Sequence, residues 1–519
     1  MAFEGFTMSP PYGGLDLVSP VDNMDPAYAL ELVNVFPGAG APTVRLGYAE
    51  FADTLSSSAI KFMAPLNLAD GTTQLIVGTS SKLYSISSSG ISTDITGAAT
   101  ISTGDWQSVI YSNKLYLCNG ADAPLVYTGT GTVSTTTFTG PSSMTSLINV
   151  TAHKERLYFV EAGTAKVWYG GLQVTGTGGT PALTSFDFQY VFNRGGFLVG
   201  IGSFSQSTNV ASQDYFYACS SEGEVVFYSG NYAGDPTTWG LVGRYYIGKP
   251  LGYRAFVRYN NDVWALTAQG IVPLSGLIQS DPEAALNLVS AKINPLITEY
   301  ATTTPFDHEW TGFFWPQGRR VYISVPVSGS GCKFLVYSID TKGWTLFQLF
   351  DDNHSLSSCV FNNLPYYGSS MGIVWKGETG QADATTTTSS QSIMFSGRTA
   401  FSFYNSRGNY KAFKDIRPLM RTKRGITLSL GLDVDFKRAQ TVASVVTPSG
   451  TFTPWGSTGG SPTYTPWGSP WSADLEYVFD RFAAKGQGHC AAVRFGGSIK
   501  NSTLQILGFE IRFDMGGQV

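Results

Sequence analysis

The residues of this 519-residue chain that could do chemistry are few and scattered. His153, His308, His354 and His489 stand far apart, and no two share a metal-ligand spacing. His489 and Cys490 are adjacent, which on a strand sends them to opposite faces, so a structural histidine is the expected role. The five cysteines, Cys118, Cys219, Cys332, Cys359 and Cys490, are odd in number and form no CxxC, as expected of buried free thiols made in a reducing cytoplasm. There is no GxSxG, HExxH or phosphate-binding Walker loop. No catalytic residue, cofactor site or metal site is therefore assigned, and the chain is not expected to be an enzyme. Asp433 and Asp435 alternate and would face one side of a strand, where they could serve as a Ca²⁺ pair, although no further ligand can be named.

One run of charge stands out: Arg407, Lys411, Lys414, Arg417, Arg421, Lys423 and Arg424, opposed only by Asp415. It could touch DNA phosphates, or form a solvated face or subunit salt bridges. The net charge of −4, from 33 basic and 37 acidic residues, offers no global attraction to nucleic acid, and the favoured role is a solvated face or subunit salt bridges. A second motif, Ser338-Ile339-Asp340-Thr341-Lys342-Gly343-Trp344-Thr345, resembles the Asp-box turn of sialidase-type propellers. It has an extra residue before the Gly and its Trp directly after it. Such a turn is structural: the Asp caps it and the Trp packs between sheets. Glycoside cleavage would also need converging groups that spacing cannot place.

The elements that carry these residues are strands. Charged residues are only 13 %, against 43 % hydrophobic and 14 % aromatic, so the chain packs a core and is not disordered. A polar or charged turn, an apolar–aromatic pair, a Gly-containing turn and a second apolar–aromatic pair recur. Examples are Asn113-Lys114-Leu115-Tyr116 through Gly120 to Val126-Tyr127, and Asn362-Asn363-Leu364 through Gly368 to Val374-Trp375. Leading apolar residues fall at 83, 115, 157, 216, 263, 321 and 364; the copies at 83 and 263 lack a clean second half. Seven such hairpins predict an all-β chain with an irregular β-propeller, although stacked β-sandwiches would give similar hairpins.

Taken in order, residues 1–55 read as an N-terminal arm with ring-closing strands. Ala29–Phe36 is read as one strand, with Leu30, Leu32 and Phe36 on one face, and residues 43–48 as its return. Residues 56–390 form the propeller-like domain, with a short helix expected at Pro282–Leu288. Residues 391–519 form a C-terminal antiparallel β-sandwich from strands at Thr399–Tyr404, Ile426–Phe436, Leu475–Phe482, Cys490–Phe495 and Thr503–Phe513, with two Thr-x-Thr-Pro-Trp-Gly copies in a loop. No stretch approaches 18 apolar residues and the N-terminus lacks a signal pattern, so no membrane insertion or secretion is expected.

Several longer runs carry a resemblance. They include Gly223–Gly230, Asp235–Gly243, Ile247–Arg254, Val263–Ser275, Thr341–Trp344 with Tyr366–Gly368, Lys414–Pro418, Asn34–Pro37 with Arg45–Tyr48, and the closing Gly516-Gly517. Together these resemble virion proteins of tailed bacteriophages, and are most similar to the tail nozzle (tail tubular, or packaged-DNA stabilisation) proteins of short-tailed phages. The resemblance spans nearly the whole chain. It implies a structural, non-enzymatic virion protein of the tail, made in the host cytoplasm. It further implies a propeller-containing subunit of a homo-hexameric tube below the portal and adaptor, in a tail that also carries fibres. Double-stranded DNA would pass through that tube for retention and ejection without specific binding. The other function kept open is a carbohydrate-binding or glycoside-cleaving propeller, as in a receptor-binding tail component.

Overall fold

The computed structural model describes residues 4–518 except 54–57, 174, 177–179, 208–211, 280–285, 328–330, 350–356, 386–388, 423–425, 439–442, 447–475 and 479–480. The chain divides into two compact units: 50–335 with 351–377, and 1–49 with 336–350 and 378–519. Among the described residues α-helix is confined to Leu274–Ile278 and Asn294–Thr303. The helix expected at 282–288 falls mostly outside the described residues, and 286–288 are not helical.

The first unit is a β-propeller of seven small antiparallel sheets. Four are complete four-stranded blades, spanning Phe62–Asp94, Gln107–Thr135, Leu147–Asp187 and Leu198–Tyr246. The fifth has three strands, Phe256–Tyr259, Asp262–Thr267 and Gly270–Pro273, and the helix Leu274–Ile278 follows the third directly in the chain. The sixth starts with Thr311–Trp315 and Arg320–Val327, and the seventh is Ser357–Phe361, Leu364–Gly368 and Ile373–Gly377. Tyr48–Asp53 adds beside Ile373–Gly377, so a strand from the start of the chain completes the last blade. The innermost strands of the first four blades touch in succession, Leu198–Ser207 meets Asp262–Thr267 of the fifth, and the innermost strands of the fifth to seventh follow on, with Ser357–Phe361 returning to Phe62–Asn67 to close the ring.

The hairpin pattern is legible because of its turns. Ser112 and Asn113 (φ 48° and 60°), Lys154 and Glu155 (46° and 59°), and Asn362 and Asn363 (45° and 61°) are all left-handed pairs. Two left-handed residues make the two-residue turn whose twist matches antiparallel strands, and asparagine tolerates that conformation. Six of the seven leading residues sit on the second strand of a blade; Leu83 begins the third strand of its blade instead. Its partner is then the exposed edge strand Ser92–Asp94, which has no need of an apolar pair. This explains the missing second half of that copy.

Cores lie between neighbouring blades. Phe62, Ile76 and Leu83 of the first meet Leu115, Leu117 and Leu125 of the second around the fully buried Trp106. Met63, Leu75 and Val77 of the first meet Cys359, Phe361 and Tyr366 of the seventh. Each large side chain removed from water contributes roughly 1.5–3 kcal/mol, so each of these two seams is a hydrophobic core in its own right.

The second unit is a mostly antiparallel sandwich, in which Gly343–Phe347 pairs with Tyr28–Val33 in parallel. One sheet is built on the long strands Asn409–Thr422 and Leu504–Gln518, flanked by Glu4–Met8, Phe482–Gly488 and Glu476–Val478, with Val35–Phe36 and Thr43–Val44 at the other side. The other runs through Gly343–Phe347, Tyr28–Val33, Ile393–Thr399, Ala491–Ile499, Thr427–Val434 and Ala443–Val446. Phe495 of one sheet packs on Phe509 of the other, ring centroids 5.5 Å apart. N-terminal residues thus belong to both sheets.

Three expected strands are corrected. Ala29–Phe36 breaks at Asn34, which is left-handed at φ 58°; the kink buries both Val35 and Phe36 instead of sending them to opposite faces. The strand expected at Thr399–Tyr404 is Ile393–Thr399, and the segment after it is irregular, with Tyr404 and Asn405 at positive φ. His489 and Cys490 precede the strand Ala491–Ile499, in the bend between it and Phe482–Gly488. The Thr-x-Thr-Pro-Trp-Gly copies lie outside the described residues.

Candidate functional site

The propeller's closed ring of inner strands encloses an open-ended cavity of about 480 Å³. Its wall mixes aromatic rings (Trp106, Tyr217, Tyr253, Phe256) with amides and hydroxyls (Gln107, Asn149, Ser357, Ser358). Glycine makes part of this wall: a Cβ on the lining residue Gly202 would meet the Tyr217 ring at 2.6 Å. The charged side chains among the lining residues are Arg254 and Arg258, and no carboxylate is among them.

Arg254 sits in the turn before Phe256–Tyr259, and the Gln107 side chain donates to the Tyr253 carbonyl at 3.2 Å. The Arg254 Nη1 donates to the Lys61 carbonyl at 2.8 Å, while its Nε and Nη2 are buried without a partner. Burial pushes its pKa down, against the pull of Asp105, Glu309 and Asp307. Burial pushes the Asp105 carboxyl up, but the Thr103 hydroxyl at 2.6 Å, Arg254 and Lys61 outweigh it and hold the group below the usual range. Glu309 is raised, by burial first and then by Asp307. Two nearby carboxyls are thus driven apart, the pattern that sets up an acid and a base. His308 is lowered by burial, and its ring lies 5.3 Å from that of Tyr253.

The basic run lies on the sandwich and its described members are engaged within the same chain. Arg407 reaches the Asp22 carbonyl at 2.7 Å, Lys414 meets Asp514 at 3.1 Å, and Arg417 meets Glu510 at 3.2 Å. Lys411 is fully buried and donates to the carbonyls of Ser406, Asn409 and His489. Asp415 is held by Arg512 and Arg481, and Arg421 is half-buried on the same strand. Lys423 and Arg424 lie outside the described residues.

Asp433 and Asp435 do not form a pair. The strand ends at Val434, and Asp435, at φ 47°, accepts the backbone N–H groups of His489 and Cys490. Asp433 is fully buried between Arg398, 2.9 Å away, and Arg494, 3.6 Å away, so arginines take the place a cation would need. Among the described residues no cluster of His, Cys, Asp and Glu could hold a metal ion. In the Asp-box-like segment, Gly343–Phe347 follows a turn with Lys342 at φ 54°, and Trp344 is buried against Tyr337, centroids 5.0 Å apart. All five cysteines are buried and free.

Sequence reasoning passed over Arg258 and saw Arg254 only inside a longer motif. The available signal was two arginines four apart around a short inner-strand pattern in a charge-poor chain.

No known sequence family and no curated protein matches this chain. Among solved structures it is similar to virginiamycin B lyase from Staphylococcus aureus, with 11 % identity, 63 % of this chain and 98 % of that one covered, and a TM-score of 0.42. It is also similar to the WD40 propeller domain of Doa1 (10 % identity, 64 % and 97 % covered, TM-score 0.39). A third is an exo-β-1,3-galactanase from Phanerochaete chrysosporium (10 % identity, 80 % and 99 % covered, TM-score 0.30).

Proposed function

We propose that the protein is a structural subunit of a bacteriophage tail, of the kind that builds a nozzle tube below the portal and adaptor. The resemblance in sequence is to that family. The observation that carries the reading is the neutralised basic run: Arg407, Lys411, Lys414 and Arg417 are bound to Asp22, to backbone carbonyls, to Asp514 and to Glu510 of their own chain. A surface whose cations are already paired has few counterions to release and grips DNA weakly. A subunit whose basic run is spent on its own carboxylates and carbonyls, at a subunit contact or on the outer wall, leaves a duplex free to slide, as a conduit for retention and ejection must. Six copies in a ring, docked to adaptor and portal and neighbouring the tail fibres, follow from the resemblance. The test is electron microscopy of particles: this chain in a tube at the tail supports the reading, and its presence in fibre-like extensions overturns it.

A second reading, a carbohydrate-binding or glycoside-cleaving propeller, is favoured by one observation. Asp105 and Glu309 are pushed in opposite directions beside an arginine of the central cavity. Hydrolysis of surface glycans by the purified chain, lost in Glu309→Gln, would support it.

A further inference from the structure

We propose that the central cavity of the propeller binds a small ligand through a carboxylate or phosphate group, held by Arg254 and Arg258. The inference does not depend on the tail assignment, since the cavity lies within one propeller and any nozzle bore lies between subunits.

Three observations converge. First, Arg254 and Arg258 are the charged residues of the cavity lining, and no lining carboxylate answers them. Second, Arg254 spends only Nη1 on the protein, on the Lys61 carbonyl. Its Nε and Nη2, the two donors that share one edge of the guanidinium, have no partner. That edge is the fork that takes two oxygens of a carboxylate or phosphate in parallel hydrogen bonds. Third, Trp106 Nε1 and Ser358 Oγ, on two other lining residues, are also buried without partners. Native proteins leave few buried polar groups unmade, so four such atoms on the lining residues of one cavity call for a partner the chain does not supply.

The acids near Arg254 do not fill that role. Asp105 is engaged by the Thr103 hydroxyl, and Asp307 by the backbone N–H of Glu309. Glu309 itself receives the Cys332 thiol at 3.5 Å, and burial favours its neutral form. They act on the cation through charge and leave its buried Nε and Nη2 without a hydrogen bond. The cavity, at about 480 Å³, suits a ligand of monosaccharide size or somewhat larger. Its aromatic rings offer apolar faces, and its amides and hydroxyls offer hydrogen bonds to a hydroxylated body.

The experiment titrates the full chain by calorimetry with glucuronate, inorganic phosphate and glucose, in a buffer free of other oxyanions. Saturable one-site binding of at least one charged probe is expected, with glucose at least about tenfold weaker, the effect of one lost charge-assisted contact. Glucuronate tighter than phosphate identifies a carboxylate ligand, and the reverse order a phosphate ligand. Arg258 is exposed, so Arg258→Gln keeps the fold and should weaken the charged probe by about tenfold. Arg254→Lys keeps the charge but removes the fork, and should weaken it by a similar factor or more. No saturable binding of either charged probe, equal binding of glucose, or unchanged affinity in Arg258→Gln each overturns the proposal.

Discussion

Lowering the pH should unlock the seam between the third and fourth blades through His153. This histidine ends the inner strand Leu147–His153 and is 3 % exposed. Its ring meets those of Tyr158, Phe216 and Trp239 at 6.1, 5.5 and 6.1 Å, and Nδ1 shares a hydrogen bond with the Ser203 hydroxyl at 2.8 Å. Burial, then the charge of Lys154, lowers its pKa from 6.5 to about 4, against a smaller pull from Asp214. The folded state therefore holds the neutral ring, and the unfolded chain binds the proton first. The stability of that arrangement is complete above the unfolded pKa and is lost as pH falls towards 4. Linkage gives a loss of about 2 kcal/mol between pH 7 and 5, and about 3 kcal/mol by pH 4. Other groups titrate in acid too, so the assay compares the protein with His153→Gln, which cannot charge. Urea unfolding is followed by tryptophan fluorescence at pH 7, 6, 5 and 4.5. The variant should be about 1–2 kcal/mol less stable at pH 7, from lost ring packing, and the gap should close or reverse by pH 5. A gap that stays constant from pH 7 to 5 refutes the reasoning.

Within the sandwich, Arg45 and Asp383 form a buried two-pronged pair, Nη1–Oδ1 2.7 Å and Nη2–Oδ2 2.5 Å, with Asn34 Oδ1 accepting from Nε at 3.1 Å. Asp383→Ala strands the guanidinium and should cost about 3–5 kcal/mol in urea unfolding, while replacing both partners by Leu should cost less than that single change. Arg417→Gln removes a half-exposed pair and should cost under about 1 kcal/mol, and duplex-DNA binding by the isolated protein should be negligible before and after. A steep salt-dependent DNA affinity in filter binding would count against the conduit. Lys411→Met leaves three carbonyls unsatisfied and should cost more than Arg417→Gln, by about 2 kcal/mol or more, in the same unfolding assay. The five thiols, buried and raised in pKa, should react with a disulfide reagent only on unfolding, whereas rapid labelling of the native protein would contradict their burial.

What the sequence by itself determined is local. Alternation, aromatic pairs and polar turn residues act over a few positions, so the all-β class and the apolar pairs that lead the second strands of six blades were legible. The low charge and single basic run were legible too. What only tertiary structure decided depends on partners far along the chain. Tyr48–Asp53 completes a blade more than 300 residues away, which no local pattern encodes. The basic run looked uniform, yet a bulge between Phe413 and Asp415 shifts the alternation of its strand. Lys411 therefore points inward to three carbonyls while Arg417 stays at the surface beside Glu510. Asp433 and Asp435 were separated in the same way, by a strand that ended one residue after the first. Arg254 and Arg258 became neighbours of one cavity only because seven inner strands close a ring around it. Side-chain direction is set by register and bulges, and these are fixed when distant strands pair, not by the residues on either side.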